Sequence, residues 1–138
     1  MTVVVDASVV VAALVDSGSV GAWAESVLAQ GGSAAPHLLP VEVTNVLRRS
    51  VLSGHLAAET AALAHADLLA WPIALFPYAP FASRVWALRQ NLSAYDAWYI
   101  ALAEQLDAPL ATLDERLARA PGSRCGFVRP PELGAPPP

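Results

Sequence analysis

The chain is 138 residues long, carries a net charge of −4, and is 55% hydrophobic and 14% charged. That length suits one domain with its own hydrophobic core, and the acidic balance excludes a protein that holds nucleic acid by overall charge alone, because such binding rests on neutralising phosphates. A single cysteine, Cys125, excludes an internal disulfide and a cysteine-built zinc site, and reads as a small buried hydrophobe.

Residues 3–5 are consecutive valines, as in a short strand buried on both faces of a parallel sheet. Asp6 and Ser8 offer N-caps for a helix over about residues 8–15. Its apolar run lacks the basic start of a signal peptide. No run approaches the ~20 apolar residues of a membrane span, so a cytoplasmic protein is expected. Gly18 and Gly21 are expected to loosen the chain before a short helix around Trp23, Val27 and Leu28 that ends at Gly31 and Gly32.

A second strand is expected over residues 34–37. Pro40 suits the first turn of a long helix whose apolar face is Val43, Val46, Leu47 and Val51, with Gly54 as its stop. A helix over residues 55–71 completes a helical hairpin. Residues 73–76 form a third strand, about 79–90 and 94–107 two helices, 109–112 a fourth strand, 115–120 a short helix and 126–128 a fifth strand. The proline-rich tail, residues 130–138, is expected to be disordered. One domain over residues 1–129 remains. Alternation of strands and helices predicts an α/β fold, a three-layer α/β/α sandwich on a mostly parallel sheet of about five strands. Residues 6–8 read Asp-Ala-Ser where a dinucleotide-binding turn needs glycines, which argues against a Rossmann cofactor site.

Four acids, Asp6, Glu42, Asp96 and Asp114, sit where apolar segments meet helix starts. Each has a local explanation. Asp6 can cap the first helix, and Glu42 can favour the positive end of its own. Ser93 with Asp96, and Thr112 with Glu115, have capping-box spacing, with Asp114 in the first turn. Taken together they mean more, because strand–helix boundaries of an α/β fold gather at one sheet edge, where ligands bind. Carboxylates meeting there without histidine or cysteine partners are hard oxygen ligands suited to Mg²⁺ or Mn²⁺, in an arrangement that supports in-line displacement at phosphorus. Ser8 and Thr112 are placed to orient them. Asn45 follows Glu42 by one helical turn and Arg49 by a further turn, though a solvated face explains the arginine.

These segments resemble the PIN-domain ribonucleases, in particular the VapC-like toxins of toxin–antitoxin pairs. The likeness is carried by Val-Val-Asp6-Ala-Ser8, Glu42-Val-Thr-Asn45, Ser93-Ala-Tyr-Asp96-Ala-Trp-Tyr and Leu-Ala-Thr112-Leu-Asp114-Glu-Arg-Leu, in that order. The resemblance implies an endoribonuclease that uses Mg²⁺ or Mn²⁺ and leaves 5′-phosphate and 3′-hydroxyl ends. It implies Asp6, Glu42, Asp96 and Asp114 as catalytic and metal-holding residues, with Ser8 and Thr112 as helpers.

Two other readings stay open: a binding protein of the same fold without catalysis, and a phosphoacceptor signalling domain. The second needs a lysine near the site, and this chain has none. Alanine and leucine in the helical hairpin exceed what one sheet face covers, which predicts a homodimer. An antitoxin crossing the acidic cleft is expected from the resemblance. Of the remaining residues, His37, His55 and His65 read as surface histidines, and Trp23, Trp71, Trp86 and Trp98 as core or interface anchors. Arg84, Arg89, Arg116 and Arg119 are candidates for RNA phosphate contacts.

Overall fold

A computed structural model describes residues 1–131. Residues 132–138 of the tail expected to be disordered lie outside the described residues. The strands are β1 (Val3–Val5), β2 (Ser33–Pro36), β3 (Ala74–Phe76), β4 (Leu110–Ala111) and β5 (Phe127–Val128). The helices are α1 (Ala7–Val15), α2 (Ser19–Ala29), α3 (Leu39–Leu52), α4 (Ala58–Ala70), α5 (Ala82–Ala87), α6 (Ala94–Gln105) and α7 (Glu115–Ala118), with a 3₁₀ turn at Ala79–Phe81 before α5.

The five strands form one all-parallel sheet in the order β3-β2-β1-β4-β5. β1 is central, and its three valines are buried because both faces of the sheet are covered. Helices α1 to α4 pack on one another as one layer. In the other layer α6 lies against β1, β2 and β4, with α5 packed on α6. That position accounts for the burial of Ala97, Tyr99, Ile100, Ala101, Leu102 and Ala103 in the middle of α6, whose polar residues Asp96, Glu104 and Gln105 lie towards its ends.

From β1 the chain steps outward through β2 to β3, then crosses back to the opposite side of β1 for β4 and β5. The direction therefore reverses between β1 and β4, the switch point at which an open α/β sheet leaves a crevice outside the carboxyl ends of its strands.

Some boundaries depart from the sequence expectations. α2 begins at Ser19, earlier than its apolar pattern indicates, because the Asp16 carboxylate accepts the Gly18 amide at 2.7 Å and turns the chain into the helix. Gly21 loosens nothing; it is buried inside α2, and a Cβ there would lie 1.8 Å from the Asp16 carbonyl oxygen. α4 starts at Ala58 rather than residue 55, since Ser53 to Ala57 form the hairpin turn, with the His55 and Leu56 amides both bonded to the Ser50 carbonyl. The helix expected over 79–90 closes at Ala87, where the Leu88 amide is shared between the carbonyls of Arg84 and Val85. No single helix among the described residues is long and apolar enough to cross a membrane.

Candidate active site

At the switch point the ends of β1 and β4 lie side by side. Asp6 follows β1 directly, is 7% exposed and caps α1. Its Oδ1 accepts from the Val9 amide at 3.2 Å and from the Ser8 hydroxyl at 2.5 Å. Its Oδ2 accepts from the hydroxyl of Thr112, which follows β4 and is wholly buried. Both hydroxyls also accept: Leu113 donates its amide to Ser8 Oγ at 3.0 Å, and Asp114 donates to Thr112 Oγ1 at 2.9 Å. The segment after β4 is thereby tied to the start of α1.

Asp114 is the N-cap of α7, its Oδ1 accepting from the amides of Arg116 and Leu117 at 2.9 and 3.2 Å. The capping box expected between Thr112 and Glu115 does not form, because Asp114 takes the cap and Thr112 gives its hydroxyl to Asp6. Glu42 stands in the first turn of α3, where its Oε1 accepts from the Tyr99 phenol at 2.6 Å.

Asp96 stands in the first turn of α6. Ser93 caps its amide at 3.2 Å, while its carboxylate turns away from the helix towards Arg116. Arg116 Nη2 lies 3.5 Å from Asp96 Oδ2 and 3.4 Å from Asp114 Oδ2, so one guanidinium straddles two acids.

Burial is the main cause that pushes the carboxyls of Asp6, Glu42 and Asp96 above the ordinary carboxylate range. At Asp6 the hydrogen bonds from Ser8, Thr112 and Val9 oppose the rise. At Glu42 the Tyr99 bond opposes it, while the charges of Asp96 and Asp6 add to it. At Asp96 the Arg116 charge opposes it and the Asp114 charge adds. Glu42 thus lies within reach of the charges of Asp96 and Asp6, and Asp96 within reach of that of Asp114, at one edge of the sheet. Among the described residues, no three Asp, Glu, His or Cys side chains are already drawn together closely enough to cage an ion. Hydroxyls and the Arg116 guanidinium hold them instead.

Two residues of this network escape a reading of the sequence. Tyr99 shares a helix face with Asp96 three positions earlier, which is the one local signal for it. Arg116 reads as a phosphate contact, and nothing local tells that it reaches two acids. Conversely, Asn45 is exposed on α3 and among the described residues bonds none of the acids. Arg84 is not available to RNA phosphates. It forms a bidentate pair with Glu104, at 2.7 and 3.1 Å, and donates to the Gly122 carbonyl at 2.7 Å. The chain runs from Gly122 into β5, so this pair sits at the opposite edge of the sheet.

His37 and His55 are exposed and His65 half-buried. Trp23, Trp71 and Trp98 pack against the core, whereas Trp86 is 68% exposed and anchors none of it. Cys125 is only half-buried, beside the Ser123 hydroxyl at 3.4 Å.

The chain is similar to known proteins. Residues 3–123 match the family model of the PIN domain. The chain is 45% identical over 126 residues to Ribonuclease VapC1 of Mycobacterium tuberculosis, a span covering 88% of this chain and 92% of that protein. It is 36% identical over 123 residues to Ribonuclease VapC9 of the same organism, covering 89% and 94%. Two solved structures share the fold. VapBC2 from Rickettsia felis, bound to a promoter DNA fragment, superposes with a TM-score of 0.68 at 14% identity, covering 94% of this chain and 98% of that one. Mycobacterium tuberculosis VapC20, a sarcin–ricin-loop-cleaving toxin, superposes with a TM-score of 0.64 at 17% identity, covering 84% and 92%.

Proposed function

The chain belongs to the PIN-domain family, and from that membership we propose that it is the toxin of a toxin–antitoxin pair, an endoribonuclease that hydrolyses RNA phosphodiester bonds with the aid of Mg²⁺ or Mn²⁺. The observation that carries this reading is the approach of Asp6, Glu42, Asp96 and Asp114 to the switch point of the sheet. The ribonuclease names of the relatives that align over most of the chain support it.

The residues fit a divalent cation. All the donors are carboxylate or hydroxyl oxygens, burial leaves three of the acids costly as free anions, and the cluster already draws in a guanidinium charge. Asp6, Glu42, Asp96 and Asp114 would hold the ion, with Ser8 and Thr112 fixing the Asp6 carboxylate. Such an ion supplies positive charge that eases displacement at phosphorus.

The protein side of the chemistry follows from the network. Asp6 is held in one orientation from three directions, which keeps its geometry fixed through a reaction cycle. Among the described residues only Tyr99 bonds the Glu42 carboxyl, at Oε1, and that carboxyl retains a proton more tightly than usual. It is suited to take the proton of an attacking water. Water adds to phosphorus as its proton passes to Glu42, the bond to the 3′-oxygen of the preceding nucleotide breaks, and that oxygen takes a proton from solvent, so the products carry a 5′-phosphate and a 3′-hydroxyl.

The same reading assigns the hairpin of α3 and α4 to protein partners. Val41, Leu52, Leu63 and Leu69 are each at least 66% exposed there. An apolar groove of about 440 Å³ runs between the two helices, lined by Leu47, Val51 and Ala61 among others. A second copy of the chain is the partner proposed for this apolar surface, with an antitoxin crossing the acidic cleft. RNA cleavage that requires Mg²⁺ or Mn²⁺, stops in chelator and is lost in Asp6→Asn tests the enzymatic reading. Purified protein that leaves RNA intact with either ion rejects it.

A further inference from the structure

A cavity of about 710 Å³ opens beside the acidic cluster, and Asp96 belongs to both. Its walls come from three places: the segment after α5 with Arg89 and Asn91, the start of α6 with Ser93, and α7 with Arg116 and Arg119. The volume falls within the range of about 300–1,000 Å³ typical of small-molecule sites, with room for a nucleotide. Every basic residue of this acidic chain is an arginine, eight in all, and three of the eight line this one cavity.

The acids account for one of those three. Arg116 straddles Asp96 and Asp114. Among the described residues Arg119 pairs only with Glu115 on its own helix, in solvent, where such a pair counts for little. Arg89 has no carboxylate partner among the described residues; its Nη1 donates to the Trp86 carbonyl at 2.9 Å, and its guanidinium lies 4.6 Å from the centre of the Trp86 ring. An exposed aromatic side chain thus holds a charged group ready at the cavity rim. A phosphate chain brought to an acidic site needs positive charge along its approach, and these arginines supply it locally.

We propose that this cavity seats the single-stranded RNA on one side of the cleaved bond. Arg89 and Arg119 meet its phosphates, Asn91 meets a base or sugar edge, and Trp86 acts as a positioning residue for Arg89. The proposal rests on the ribonuclease reading. An unpaired strand suits a walled cavity, which a stiff duplex does not enter.

The test is the anisotropy of a fluorescein-labelled single-stranded RNA titrated with protein across a salt series. Ca²⁺ replaces Mg²⁺, and a gel confirms that the RNA stays intact. The double variant Arg89→Gln/Arg119→Gln is expected to bind about tenfold more weakly at low salt, and its log–log salt slope should be shallower by about 1.4, because two phosphates are no longer neutralised. Trp86→Ala, which keeps every charge, is expected to weaken binding and leave the slope unchanged. Arg124→Gln removes one arginine charge at the opposite edge of the sheet and should move neither quantity, where loss of either cavity arginine alone should make the slope shallower by about 0.7.

A double variant with wild-type slope and affinity overturns the proposal, as does an equal loss in Arg124→Gln. A double variant that keeps RNA affinity and loses affinity for the antitoxin gives these arginines to the protein partner and overturns it too. Wild-type protein that neither binds nor cleaves RNA brings down the ribonuclease reading itself. Wild-type protein that cleaves, beside a double variant indifferent to the change, brings down this inference alone.

Discussion

The phenol of Tyr99 donates to Glu42 Oε1 at 2.6 Å, joining residues 57 positions apart on two helices that the sequence does not visibly link. Charge on Glu42 and the hydroxyl proton of Tyr99 stabilise each other, and the phenol is held well above its ordinary pKa, first by burial and then by this bond. Tyr99→Phe keeps the ring in its buried place and removes the bond. Stability should fall by about 1–3 kcal/mol, as for a hydrogen bond to a charged group. Glu42 should hold its proton more tightly still, so the acid limb of the cleavage–pH profile should move to higher pH. A parallel loss of rate at every pH would show that Tyr99 serves packing only.

Thr112 is wholly buried with its hydroxyl bonded to Asp6. Thr112→Val matches its shape and leaves a buried carboxylate oxygen without its donor, at a cost of about 1–3 kcal/mol. Thr112→Ser restores the hydroxyl and should recover cleavage more fully than it recovers stability. Denaturant melts in chelator, beside cleavage rates for both variants, check the ranking. Equal cleavage by the valine and serine variants would remove Thr112 from the site.

Asp96 separates capping from clustering. Its amide is already capped by Ser93, and its carboxylate serves Arg116, in a partly exposed pair worth at most about 1 kcal/mol. Asp96→Asn also relieves repulsion from Asp114 and Glu42. Melting in chelator should therefore stay within about 1 kcal/mol of wild type or rise. The stabilisation conferred by Mg²⁺ should disappear together with cleavage. A variant that still gains stability from Mg²⁺ would exclude Asp96 from the ion's ligands.

The raised carboxyls of Asp6, Glu42 and Asp96 fix a direction for pH dependence. Between the unfolded and the raised folded values, the folded state binds more protons, so these groups lower stability as pH rises through that window. Their penalty is absent below the ordinary carboxylate range and complete above the raised values. A bound divalent ion favours the ionised forms and reverses the trend. Melts from acid to neutral pH, in chelator and in excess Mg²⁺, should diverge as pH rises. Adding Mg²⁺ in weak buffer near the raised values should release protons. Parallel curves and no proton release would show that the ion binds elsewhere or not at all.

The alternating elements were legible because β1 is three valines in a row and α3 carries a clear apolar stripe between Pro40 and Gly54. The boundary acids stood out for the same reason: a carboxylate straight after a fully apolar strand needs an explanation. What stayed hidden depends on partners distant in sequence. Arg84 reads like any surface arginine until Glu104 is seen beside it. Thr112 has the spacing of a helix cap, but its hydroxyl is given to the acid at the end of β1 and not to the helix it precedes. Gly21 reads as a loose joint because the pressure of Asp16 against it is tertiary. Local pattern shows which residues stand at an edge. It does not show which pairs meet there.

The central strand is made first and finds its second neighbour almost last. Val4 and Val5 pair with Leu110 and Ala111, and Asp6 meets Thr112 across 106 positions of chain. With synthesis running at roughly 5–20 residues per second, Asp6 waits roughly 5–20 s for that partner to be made. Through that interval β1 has only β2 beside it, and the acids at its end have neither Thr112 nor Asp114 for company. If these acids form the site, a growing chain is expected to be inert. The cleft is then completed only after β4 and the segment behind it have been made and have docked beside β1.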